Sequence, residues 1–275
     1  MRVAIAAMHR SLTVLLALFL AGCTTNAIRI ERLATTLGMS RSVIEAGGFR
    51  SLLFMRGVPG PQDAPLAIFI EGDGVPWRGG REPNLDPTTG DPLALKLLAQ
   101  TPAPTAYVTR PCYNDMGGAR CTPERWTMER YSDEIVSSMT AAVRTAARQA
   151  KARSVVLVGY SGGGVLAVLI AERLDNVAAV ITVGANLDID AWTRQHGYLP
   201  LTGSLNPASS TAEHRWPETH LYGVRDENVP PAATDAYFQR FSSAKRQIVE
   251  ANDHVCCWVE QWPELWQQLN ATSAR

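Results

Sequence analysis

The apolar run Val155-Val156-Leu157-Val158 leads without interruption into Gly159-Tyr160-Ser161-Gly162-Gly163, and Val165 to Leu174 then reads as a helix. No other feature constrains the chain as strongly. A strand turns sharply into a helix only where side chains are small, so these glycines mark a tight elbow that lifts the Ser161 hydroxyl clear of the backbone. The start of the helix adds unpaired N–H groups and the positive end of its dipole beside that hydroxyl. Ser161 is therefore the candidate nucleophile; the plainer alternative is a glycine-rich turn carrying an exposed serine.

The elbow sits within a regular alternation. Strand patterns run over Arg50 to Met55, Leu66 to Glu71, Ala106 to Thr109, Ser154 to Gly159, Ala179 to Val183, His220 to Val224 and Arg246 to Glu250. Several are short and continuously apolar, as strands covered on both faces are. Asp133 to Ala150 reads as an amphipathic helix, with Ile135, Met139, Val143 and Ala146 on one face and Ser132 as cap. The alternation predicts an α/β fold: a mostly parallel central sheet with helices on both faces. The chain of 275 residues suits one such domain over 49–275. Two segments interrupt it, Gly72 to Pro92 and the long polar Asp188 to Glu218. Both follow strand ends, where open α/β sheets keep their sites.

A serine hydroxyl needs an adjacent base, and a histidine base needs a carboxylate that fixes its tautomer. His254 follows the last strand pattern in Asn252-Asp253-His254, where a late loop returns to the serine. His220 opens a strand and reads as packed or capping, while His196 and His214 lie in the polar segment and read as solvated. Asp226, at a strand end between Ser161 and His254, is the candidate acid. Glu227, Asp188 and Asp190 are its rivals.

The order of strand, G-x-S-x-G, helix, Gly223-Val224-Arg225-Asp226-Glu227-Asn228-Val229-Pro230 and a late histidine resembles the α/β-hydrolase superfamily over nearly all of residues 50 to 270. Arg110-Pro111-Cys112, Trp126-Thr127 and Asn186-Leu187-Asp188 are similar to flanking motifs in a group of bacterial lipoprotein hydrolases. The resemblance implies a serine hydrolase acting on an ester-type acyl bond of a small-molecule or lipid substrate through an acyl-enzyme, with no cofactor. It also implies an oxyanion hole from the N–H groups of Gly162 and of the loop Glu71-Gly72-Asp73-Gly74, with Asp73 as second donor. Many members carry His-Gly where this chain has Glu71-Gly72. An acidic side chain there must point away or be paired, and Arg78 and Arg81 are the candidate partners. A non-catalytic binding module and an acyltransferase are the alternative functions.

Residues 1–22 read as an export signal, with Arg2 and Arg10 ahead of a short apolar run from Leu12 to Leu20. That run is too short to span a bilayer comfortably. It ends in Leu20-Ala21-Gly22-Cys23, which looks like a bacterial lipobox and implies diacylation of Cys23 and a membrane anchor on the periplasmic side. Thr24 in the next position implies the outer membrane. Residues 23–48 then read as a lipidated tether with a short helix around Ile28 to Leu37.

Export makes disulfides possible. Cys112 and Cys121 flank a turn-rich stretch and are the expected bridge; Cys256 and Cys257 are either bonded neighbours or two small buried apolar side chains. No C-x-x-C or H-x-x-x-H spacing supports a metal site. Lys plus Arg equals Asp plus Glu at 26 each, which leaves no footprint for nucleic acid. Gly72-x-Gly74 lacks the third glycine and the helix of a dinucleotide fingerprint. Trp258, Trp262 and Trp266 recur every four residues and read as the buried face of a helix.

Overall fold

The computed structural model describes residues 25–57 and 65–273. The export signal and Cys23 lie outside the described residues. Eight strands form the main sheet: β1 (Ser40–Ala46), β2 (Phe49–Arg56), β3 (Leu66–Ile70), β4 (Thr105–Val108), β5 (Val155–Tyr160), β6 (Val177–Val183), β7 (Glu218–Gly223) and β8 (Lys245–Val249). Their spatial order is β1-β2-β4-β3-β5-β6-β7-β8. β1 and β2 pair antiparallel, as do β2 and β4, and the other neighbours are parallel.

The central strands are buried on both sides. Leu66, Ile68 and Ile70 of β3 face one apolar cluster while Ala67 and Phe69 face the other, the two-residue alternation that a strand's pleat imposes. Helices α1 (Asn26–Thr36), α2 (Leu93–Ala99), α3 (Asp133–Ala150), α4 (Gly162–Ala171), α5 (Ile189–His196), α6 (Asp235–Arg240) and α7 (Trp258–Ser273) complete the layers. α3 and α4 cover the first face, and α1, α2 and α7 the second. Trp258 and Trp262 of α7 are fully buried, Trp262 edge-on to Phe69. Among the described residues no helix is long and apolar enough to cross a membrane.

Two expectations are corrected. The described part of the stretch 23–48 is not a free tether: α1 buries Ile30 and Ala34, and β1 pairs along its whole length with β2. β1 escapes a reading by periodicity because Ile44 is its one buried residue, as befits an edge strand. The two interrupting segments also hold structure, a short hairpin of Trp77–Arg78 with Glu82–Pro83 in the first and α5 in the second. Ser132 stands at the N-cap of α3 with extended backbone, but its side chain makes no capping bond.

Candidate active site

The elbow after β5 is sterically tight. Ser161 takes φ 51° and ψ −125°, a left-handed conformation that costs about 1 to 3 kcal/mol in a residue with a Cβ and is held by its surroundings. The Ser161 N–H donates to the Val183 carbonyl at 2.8 Å, fastening the elbow to β6. A Cβ on Gly159 would collide with the Gly163 backbone, and one on Gly163 with the carbonyls of Ile70 and Glu71. Both positions therefore require glycine, and α4 can start directly against the end of β3.

Three loops converge on this elbow. His254, on the loop after β8, lies with Nε2 3.1 Å from Ser161 Oγ. Its Nδ1 lies 2.8 Å from Asp226 Oδ2, and the Asp226 side chain is fully buried. Asp226 Oδ1 accepts from the Val229 N–H at 2.7 Å, which fixes the carboxylate at the end of β7. Gly184, with positive φ, passes directly beneath the His254 and Asp226 side chains. The rivals lie elsewhere. Asp188 caps α5 by accepting from Ala191 N–H at 3.0 Å and from Asn206 Nδ2 at 3.0 Å. Asp190 accepts from Asn206, and Glu227 is exposed.

The loop Glu71 to Gly74 forms the opposite wall; a Cβ on Gly72 would lie 3.3 Å from Ser161 Cβ. The Gly162 N–H opens α4, where no intrahelical acceptor precedes it. The Asp73 side chain lies beside the cavity, close to Gly162, and is paired, but not with Arg78 or Arg81. Arg110 binds Oδ1, Arg130 Nη1 donates to Oδ2 at 2.8 Å, and Tyr131 OH donates to Oδ2 at 2.7 Å. Burial alone would raise the Asp73 pKa, yet Arg130 and Arg110 hold it well below the usual carboxylate range. Arg78 instead pairs with Glu82 within the hairpin. Tyr113 OH donates to the Asp73 carbonyl at 3.0 Å, so the loop is tied from two sides.

Glu71 is buried beneath the start of α2. It accepts from the N–H groups of Gly72 and Ala94 and from Tyr107 OH. Burial pushes its pKa up to about 7, against the lowering effect of those donors. Sequence reasoning missed Arg110, Arg130 and Tyr131 as the partners of Asp73. They stand 37, 57 and 58 residues away, where local spacing carries no signal.

Above Ser161 opens a cavity of about 840 Å³. Trp77, Trp192, Tyr198, Leu199, Leu201 and Val255 supply its apolar wall. Trp192 Nε1 and His196 Nε2 both contact the Asn228 carbonyl, at 2.8 and 2.7 Å, so α5 leans on the loop that holds Asp226. His220 is packed, as read from the sequence, between Thr182 and Glu218. His214 is not solvated: its ring stacks on Phe241 and lies between Glu172 and Glu218.

Cys112 and Cys121 are joined by a disulfide, with Cα atoms 5.4 Å apart. Cys256 and Cys257 are joined to each other on the loop after His254, and Cys256 is exposed rather than buried.

The sequence model of the dienelactone hydrolase family matches residues 113–249, which include Ser161 and Asp226 and stop short of His254. No curated protein matches the chain. Among solved structures, Est1E from Butyrivibrio proteoclasticus is similar at 16% identity, with a TM-score of 0.58 over 85% of this chain and 98% of that one. An esterase from Pyrococcus furiosus is similar at 13% identity and a TM-score of 0.61, covering 87% of this chain and 92% of the esterase. A bacterial membrane phospholipase A, described as a virulence factor, is similar at 15% identity and a TM-score of 0.59, covering 98% of this chain and 97% of that one. The family match supports a hydrolytic function, and the structural matches share the sheet and its helical layers. The chain has the α/β-hydrolase fold of these structures, and its residues 113–249 are similar to the dienelactone hydrolase family.

Proposed function

We propose that the protein is a serine hydrolase that cleaves an ester-type acyl bond through an acyl-enzyme. The observation that carries this reading is the unbroken relay from Ser161 Oγ to His254 Nε2, at 3.1 Å, and from His254 Nδ1 to Asp226 Oδ2, at 2.8 Å. Ser161 Oγ attacks the substrate carbonyl while its proton passes to His254 Nε2. Asp226 holds the proton on Nδ1 and stabilises the imidazolium. The N–H groups of Gly162 and Asp73 receive the charge that develops on the carbonyl oxygen. Pairing of the Asp73 carboxylate with Arg110 and Arg130 keeps its negative charge off that oxygen. Collapse of the tetrahedral intermediate sends the alcohol out with the His254 proton. Water, deprotonated by the same histidine, then attacks the acyl-enzyme, releases the acid and restores Ser161. No cofactor takes part in this scheme.

The esterase and phospholipase activities named for the structural neighbours agree with an ester as the scissile bond. Labelling with a fluorophosphonate, lost in Ser161→Ala, tests the reading.

The chain is further proposed to be an exported lipoprotein, cleaved before Cys23, diacylated there and held on the periplasmic side of the outer membrane. The basis is Leu20-Ala21-Gly22-Cys23-Thr24 behind a short apolar run. Two acyl chains anchor stably where one does not. Incorporation of alkyne palmitate should mark the protein and vanish in Cys23→Ser; equal labelling of both would contradict the anchor.

A further inference from the structure

The mouth of the cavity is ringed by exposed apolar side chains from three separate loops. Val75 belongs to the loop after β3, Tyr198 and Leu199 to the turn after α5, and Val255 to the His254 loop; all four line the cavity and all are exposed. Leu85 is 92% exposed. Backbone bonds from Val75 N–H to the Pro87 carbonyl and from Asn84 N–H to the Pro76 carbonyl fold its segment back beside Val75. Nine large apolar residues are exposed among the described residues; four of them line this mouth, and Leu85 belongs to the segment folded beside Val75. Single exposed apolar residues are ordinary, whereas a contiguous ring around a site marks a contact surface.

The path of the chain indicates what that surface meets. Asn26 Nδ2 donates to the Thr88 carbonyl at 2.8 Å, and its Oδ1 abuts Gly90. Thr89 and Asp91, on either side of Gly90, line the same cavity. The chain therefore enters the fold at the cavity wall. In sequence Cys23 is only two residues before Thr25, so a lipid on it would be tethered close to this wall.

Resting on the proposed serine hydrolysis and the proposed lipidation of Cys23, we infer that the cavity mouth docks on the lipid bilayer, with Leu85, Leu199 and Val255 dipping into its surface. The substrate class is then a membrane lipid ester, whose acyl chain passes from the bilayer into the cavity without crossing water. Cleavage before Cys23 removes Arg2 and Arg10 from a chain of 26 basic and 26 acidic residues, so the mature chain is slightly acidic and has no electrostatic draw to an anionic surface; apolar contact and the anchor supply the adhesion.

The test uses the full mature chain with its lipid, carrying an environment-sensitive fluorophore on Leu85→Cys or, as a control, on Asp175→Cys. Asp175 is exposed in the turn between α4 and β6, at the opposite end of the parallel strands from Ser161. The native disulfides leave the introduced thiol open to maleimide coupling. With vesicles of phosphatidylethanolamine and phosphatidylcholine, emission from position 85 should shift to the blue while that from 175 stays unchanged. Leu85→Asp should weaken vesicle binding of the Cys23→Ser chain by about tenfold, the effect of losing roughly one buried leucine's apolar contact. No shift at 85, or equal shifts at both positions, would overturn the docking. Hydrolysis of a soluble nitrophenyl ester, measured on the same preparations, reports the chemistry separately: a shift at 85 without turnover would strike the hydrolase reading and leave the docking standing.

Discussion

Arg130 Nη1 donates to Asp73 Oδ2 across 2.8 Å, and this buried contact ties the loop after β3 to the turn before α3. Arg110 grips the other carboxylate oxygen and is itself 2% exposed. Removing one member of a buried ion cluster leaves the others charged and unpaired, which destabilises a fold by about 3 to 5 kcal/mol. Asp73→Ala should therefore lower the urea midpoint strongly. Turnover should also fall, because the loop proposed to supply the Asp73 N–H to the oxyanion loses its fastening. A midpoint within experimental error of wild type would show that the cluster is not what holds the loop.

Asp226 and Asp188 both stand at strand ends, yet they have different partners. Asp226 faces His254, whereas Asp188 caps α5 and binds Asn206. Asp226→Asn should preserve the fold and lower kcat by about 10⁴-fold, since the amide favours the wrong histidine tautomer. Asp188→Asn keeps a capping side chain and should change kcat little, and so should Glu227→Gln. A larger loss for Asp188→Asn in folded protein would reassign the acid.

Much of this arrangement is legible in the sequence because it is written in local order. The strand into Ser161, the small residues around it and the helix beyond are contiguous, and His254 and Asp226 each follow a strand pattern. The α/β fold follows from the same alternation. What stays hidden is set by tertiary contact. β1 carries a single buried residue, Ile44, and so shows no apolar alternation. His214 sits between Glu213 and Arg215, both exposed, and nothing local announces that its ring is packed on Phe241. The partners of Asp73 come from β4's far end and the approach to α3, segments that meet only once the sheet has formed.

His214 links the end of α4 to β7 through Glu172 and Glu218, and its side chain is 3% exposed. Burial alone would lower its pKa, but the two carboxylates raise it from 6.5 to about 9. Since the folded state holds the proton more tightly than the unfolded chain, this stabilisation is complete below about pH 6.5 and fades as pH rises through about 9. Glu218, with its pKa depressed by His214 and His220 against the effect of burial, acts at the other end: its contribution is whole above the ordinary carboxylate range and is lost progressively as pH falls below it. The Tm of wild type minus that of His214→Gln should therefore shrink between pH 6.5 and pH 9.5. A difference independent of pH over that range would mean that His214 is neutral in the fold.

The central claim is that Ser161, backed by His254, is a working nucleophile. Purified wild-type protein should take up one fluorophosphonate per chain and hydrolyse a nitrophenyl acyl ester. Ser161→Ala should lose the label and fall to the residual rate, about 10³-fold to 10⁴-fold over water, that binding and an oxyanion hole sustain alone. Transfer of the acyl group to an added alcohol in preference to water would recast the same site as an acyltransferase. Folded, monodisperse wild-type protein that takes no label and turns over no ester, thioester or peptide would contradict the account and leave a binding module on a hydrolase scaffold.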